Sequence, residues 1–260
     1  MSKKEKELFK LMKLKLGATK DEIFIETFPL EIDYFNKRMD DYYLLIKDWI
    51  SKIPQFLPKF PDIESYLKSS DPEEVKYGLF LEYKAMEDSQ RFYEIYPRTA
   101  TYSFIISHHS GFESILTEFG DVLRFDFYKM EKHKTNIMEK IKNAFKSADI
   151  NLNLGHNKYW SEIMYFFKIR NLLVHLNGNI SKMKKIIENS DSEKYNHVKQ
   201  LKDAYGYISK HPEYFDISHE YIIIKIDTEE NYCTYTIENF TNILNYLFSC
   251  VQTKFEINKR

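Results

Sequence analysis

The chain is poor in residues that break regular structure, with 7 glycines and 7 prolines among 260 residues. So small a supply of turn formers excludes a β-sandwich assembled from many tight turns. Cysteine is scarcer still. Cys233 and Cys250 cannot supply a disulfide framework, and a reducing, cytoplasmic setting is the expectation. An excess of one charge is also missing: 38 Lys and Arg against 39 Asp and Glu leave a net charge of -1. No global basic field attracts nucleic acid, so any RNA-binding surface has to be local. No apolar run approaches the ~20 residues that span a bilayer, and no membrane association is expected. In the first twenty residues Lys10, Lys13 and Lys15 interrupt the apolar set Leu8, Phe9, Leu11, Met12, Leu14 and Leu16. That pattern suits a solvated amphipathic helix or a partner-binding tail rather than a signal peptide. A phosphate-cradling glycine loop and a Gly-x-Ser-x-Gly elbow are both lacking, so nucleotide hydrolysis and esterase chemistry have no support.

What is abundant is apolar and aromatic: 43% hydrophobic residues, with 20 Tyr and 20 Phe. Such a chain folds. Residues 1 to about 52 read as helices broken near Gly17 and at Phe28-Pro29, and Pro54, Pro58 and Pro61 mark a connector. Asp71-Pro72-Glu73-Glu74 is a helix start, with a capping carboxylate, proline at the first position and acids in the first turn. That helix is predicted to stop before Pro97. Further helices are predicted over 98–124, 129–147, 158–176 and 238–255, with an exposed helix over 183–207. Tyr221 to Ile226 and Tyr232 to Ile237 are β-branched and aromatic, and the five residues between them signal a hairpin. The order predicts a mainly all-α fold. It is an antiparallel bundle of four or five helices (96–260) with a small hairpin before the last helix and a helical N-terminal extension (1–95).

The most informative stretch is Arg170-Asn171-Leu172-Leu173-Val174-His175, which places three polar groups in a helix otherwise apolar on nearly every side. Buried polar groups need partners or cost roughly 1–3 kcal/mol each. At ~100° per residue, Asn171 falls inside a stripe of Trp160, Ile163, Met164, Phe167 and Val174, with Arg170 and His175 at its two margins. Asn177-Gly178 is the expected helix end, which puts His175 in the last turn, where the negative dipole end favours a protonated imidazole. His109 and Glu113, one turn apart, interrupt the stripe of the 98–124 helix in the same way and are candidates to support Arg170. With His175 as third ligand they also compose a minimal metal set, but nothing else resembles a ligand cluster and no metal or cofactor is expected. The remaining histidines, His108 among them, read as surface or loop residues. Lysines at 129, 132, 134, 140, 142 and 146, and at 182, 184, 185, 194, 199 and 202, are interleaved with acids and read as solvated faces.

Arginine, a polar residue, a short apolar spacer and histidine resemble the motif of HEPN ribonucleases, and Arg170, Asn171 and His175 match it residue by residue. The resemblance covers about residues 96 to 255. It implies a helical homodimer in which two such helices face each other and build a composite site for metal-independent RNA cleavage. The implied products carry 2′,3′-cyclic phosphate and 5′-hydroxyl ends. In this scheme histidine serves proton transfer and arginine holds phosphate oxygens, while Asn171 orients the imidazole or binds phosphate. The resemblance further implies a toxin or abortive-infection effector in antiviral defence, acting on RNA such as tRNA, with an antitoxin or defence-system protein as partner. The alternative reading is a non-catalytic helical dimer that binds RNA, nucleotide or protein.

Overall fold

A computed structural model describes residues 19–125, 137–189 and 196–258, and its first element overrides a proline. Helix α1, Lys20–Phe56, continues through Pro29 and Pro54. The break expected at Phe28-Pro29 does not occur, although proline deprives a helix interior of one hydrogen bond. Pro29 faces solvent, whereas its neighbour Phe28 is fully buried. Phe28 stacks on Phe248 at 5.4 Å and meets Phe119 edge-on at 4.6 Å, so packing on the inner side holds the helix together across the defect. The break expected at Gly17 lies outside the described residues.

Two compact units emerge, Met1–Asp41 with Ile105–Arg260, and Tyr42–Phe104. In the smaller one a short helix α2, Ile63–Leu67, lies against α3, Pro72–Gln90. Gly78 permits this approach: a Cβ there would sit 3.0 Å from the Tyr66 Cβ and 3.1 Å from the Leu67 nitrogen. Asp71 caps α3 as its sequence predicts, its carboxylate accepting the Glu73 N–H at 2.9 Å. Leu79, Phe80, Tyr83 and Met86 stay exposed along α3, an apolar patch of the kind that marks interaction surfaces. Pro97 does not end this segment. A π-turn over Arg91–Ile95 shifts the hydrogen-bond register just before the proline, and the chain continues as α4, Tyr96–Val122.

The described residues of the larger unit are mostly helical. Helix α5, Ile137–Ser147, is the described part of the helix expected over 129–147. After a 3₁₀ turn at Leu154–His156 comes α6, Lys158–Leu176, with the predicted bounds. The Asn157 side chain accepts the Trp160 N–H at 3.1 Å, and Asn177 (φ 50°) and Gly178 (φ 65°) turn left-handed to end it. The segment expected as one exposed helix is two, α7 at Ile180–Glu188 and α8 at Asn196–Lys210. Both bury an apolar side through Ile180, Met183, Val198, Leu201, Ala204 and Ile208.

The two-stranded antiparallel hairpin precedes the last helix, with one strand inside the expected Tyr221 to Ile226 and the other upstream of it rather than at Tyr232 to Ile237. β1, Phe215–Asp216, pairs with β2, Ile223–Ile224, in the register Phe215 with Ile224. Tyr232 to Ile237, expected as a strand, opens α9, Tyr232–Asn258. The Asn231 carboxamide oxygen accepts the N–H groups of Cys233 at 3.0 Å and Thr234 at 3.3 Å, and this cap overrides local β propensity. Tyr232, Cys233, Thr236 and Phe240 then fall on one buried face.

Removing Pro29 should help the fold. The variant Pro29→Ala is expected to raise unfolding stability by about 1–2 kcal/mol in a urea titration, because the regained helix bond outweighs the lost rigidity of the unfolded chain. A loss of stability would contradict the account given for α1.

Candidate functional site

Helix α6 packs against α8 and α9, and its Trp160, Ile163, Phe166, Ile169, Leu172 and Leu173 are buried. The deep face therefore lies to one side of the stripe drawn from sequence. Trp160 and Ile163 belong to it, but Met164, Phe167 and Asn171 are only half-buried, and Val174 is 43% exposed. His175 is exposed as well. The motif thus occupies the outward margin of a helix whose inner margin is core.

Helix α4 supplies the neighbouring wall. His109 sits edge-on to Phe167 at 5.1 Å and to Phe240 at 4.9 Å, and Phe112 stacks on Phe240 at 4.1 Å. This packing brings His109, Glu113, Arg170 and Asn171 into one neighbourhood. Arg170 is half-buried; its Nη1 donates to Asn171 Oδ1 at 3.1 Å, while its Nε is buried with no hydrogen-bond partner. Glu113 forms no hydrogen bond to Arg170 among the described residues, but their charges interact. Burial pushes the Glu113 carboxyl up, and the guanidinium partly offsets that rise. The Asn171 oxygen is turned to Arg170, not to His175. His175 lies five residues beyond Arg170, about 7.5 Å along the axis, and is the most solvent-accessible member of the set.

His109 is fully buried and both ring nitrogens lack hydrogen-bond partners. Desolvation holds its pKa well below the ordinary 6.5, with smaller contributions from His108 and Arg170. His108, expected on the surface, is also fully buried, stacked on Phe35 at 5.3 Å with Nδ1 3.3 Å from the Thr236 hydroxyl. Burial lowers its pKa to about 3. The error has a simple source: consecutive residues on α4 both turn inward where α1 and α9 close over it, and one helix's periodicity does not reveal that. Among the remaining histidines, His219 is exposed and His211 half-exposed, and His133 lies outside the described residues. Among the described residues no three His, Cys, Asp or Glu side chains are gathered to hold a metal, so His109, Glu113 and His175 do not form such a set. A groove of about 500 Å³ is lined by Lys142, Lys146, Asp149, Ile150, Asn151, Leu152 and Leu154, none of them motif residues.

The turn after His175 is firmly held. Gly178 O accepts the Ile222 N–H at 3.0 Å, the Ile180 N–H donates to Glu220 O at 2.8 Å, and Asn179 Nδ2 donates to Glu220 Oε1 at 2.8 Å. A second polar cluster that the sequence did not single out surrounds Glu162 on α6, whose carboxylate accepts the Tyr207 hydroxyl at 2.7 Å. Desolvation, chiefly, raises the neighbouring Tyr235 phenol to about 12.

Against known proteins, the chain matches no family model, no curated protein and no solved structure.

The two buried histidines set an acid limit. Above pH 6.5 they are neutral folded or unfolded; below it the unfolded chain binds protons that the core refuses until far lower pH. Stability is therefore expected to fall as pH drops from 6.5 towards 3, by up to about 1.4 kcal/mol per pH unit for each histidine. His109→Leu removes two orphaned nitrogens. It should flatten part of that slope in denaturation measured across the acid range, and an unchanged slope would refute the account.

Proposed function

We propose that the protein is a metal-independent endoribonuclease of the HEPN type, acting as a homodimer with a composite site formed by Arg170, Asn171 and His175 of two facing α6 helices. The observation that carries this reading is that His175 and Val174 are exposed while the opposite side of the same helix is core. A second copy docking over Met164, Phe167 and Val174 would cover that apolar margin and bring a second imidazole and a second guanidinium to the seam. One imidazole then takes the 2′-hydroxyl proton and the other protonates the departing 5′-oxygen. The guanidiniums neutralise charge on the phosphorane. Asn171 holds Arg170 by its side-chain oxygen, which supports a phosphate-facing guanidinium. Glu113, close by and half-buried, supplies the compensating charge. We further read the protein as a toxin or antiviral-defence effector whose substrate is RNA.

His175→Ala is expected to reduce cleavage of total RNA by roughly 10²–10⁴-fold while leaving the helical circular dichroism intact. Val174→Asp, which puts a charge on the seam, should give a monomer in sedimentation and lose cleavage together with dimerisation. Undiminished cleavage by either variant would overturn the assignment. RNA bound but left whole by the unaltered protein would identify the non-catalytic module instead.

A further inference from the structure

The chain as a whole is balanced in charge, yet two neighbouring elements are not. The described residues of α7 and α8 carry six lysines, at 182, 184, 185, 199, 202 and 210, against two carboxylates, Glu188 and Asp203. Asp203 is already taken by Lys168 of α6, whose Nζ lies 2.8 Å from its Oδ2. None of the six lysines forms an ion pair among the described residues, and all six are exposed. Neither of these two described acids therefore pairs with a lysine of this surface.

The lysines are also ordered. Lys199, Lys202 and Tyr205 follow one another every three residues, which on a helix places them on adjoining turns of one side. Lys184 of α7 stands over the Tyr205 ring at 5.7 Å, so the ladder passes from α8 onto α7 at that contact. Lys182 sits in the first turn of α7, where Asn179 Oδ1 accepts its N–H at 2.7 Å, directly after the turn that ends α6. The cationic line runs from α8 across α7 to the chain segment adjoining His175. An aromatic ring among spaced ammonium groups suits a polyanion with stackable bases.

We infer that the exposed faces of α7 and α8 form a track for the sugar-phosphate backbone of RNA leading to the His175 end of α6, an inference that rests on the ribonuclease reading for its choice of polyanion. Lysine heads on a fixed scaffold give sequence-independent grip and leave selection of the cut to the seam. Their contribution is release of counterions from the strand, so it is visible in the salt dependence of binding.

The test uses the full chain carrying His175→Ala, so that bound RNA stays intact, and a fluorescein-labelled single-stranded oligouridylate of fifteen nucleotides read by anisotropy. Adding Lys184→Gln, Lys199→Gln and Lys202→Gln is expected to weaken binding about tenfold or more. The same change should lower the slope of log affinity against log salt by about 2, at ~0.7 per phosphate contact on a single strand. The control replaces Lys52, Lys68 and Lys76, each paired with a carboxylate three or four residues before it, by glutamine, and should change affinity less than about twofold. Thermal melts establish that both variants fold. Affinity and slope unchanged in the first variant overturn the track, as does an equal loss in the control. So does lysine-dependent binding to phosphatidylserine vesicles by a protein that ignores the RNA. Cleavage by the unaltered protein is scored separately. Lysine-dependent binding without cleavage strikes the ribonuclease reading and leaves the track standing; cleavage with binding indifferent to the lysines does the reverse.

Discussion

The stack of Phe112 on Phe240 organises the larger unit. These two fully buried rings lie nearly parallel at 4.1 Å, and Phe166, His108 and His109 all rest against Phe240. One ring on α9 thereby ties α4 and α6 into a single core. Because that core occupies one side of α6, the other side is left to Arg170, Asn171, Val174 and His175. The candidate site is thus an outcome of asymmetric burial: a helix apolar around most of its circumference, with packing partners for only part of it.

The same asymmetry places unsatisfied polar groups behind the exposed ones. His109 contributes two ring nitrogens without partners, and Arg170 a buried Nε. Buried polar atoms without partners cost stability. Glu113 adds a half-buried carboxyl biased towards protonation by burial and away from it by Arg170. Apart from the Arg170–Asn171 hydrogen bond, the neighbourhood is connected by proximity and charge. Its guanidinium makes no ion pair within 4 Å among the described residues.

Much of the fold was legible in the residues. The start of α3 was encoded by Asp71-Pro72, and both bounds of α6 by Asn157 and Asn177-Gly178, because caps are local chemistry. Pro29 and Pro97 misled for the opposite reason. Their local penalty is real, but Phe28 packing and a π-turn, respectively, absorb it, and neither is visible from neighbouring residues. Tyr232 to Ile237 misled because β-branched and aromatic side chains suit a strand or a buried helix face equally well. The Asn231 cap decided between them.

Sequence alone determined the helical class, the caps and the chemistry available in Arg170, Asn171 and His175, since these depend on residue type and on spacing of a few positions. Tertiary structure decided which side of α6 meets solvent, that His108 is core, that Asp203 pairs with Lys168 of α6 rather than with a lysine of α7 or α8, and which residues pair in the hairpin. Each of these turns on partners remote in the chain, and the free energy of burial or pairing at one position depends on what the fold brings against it.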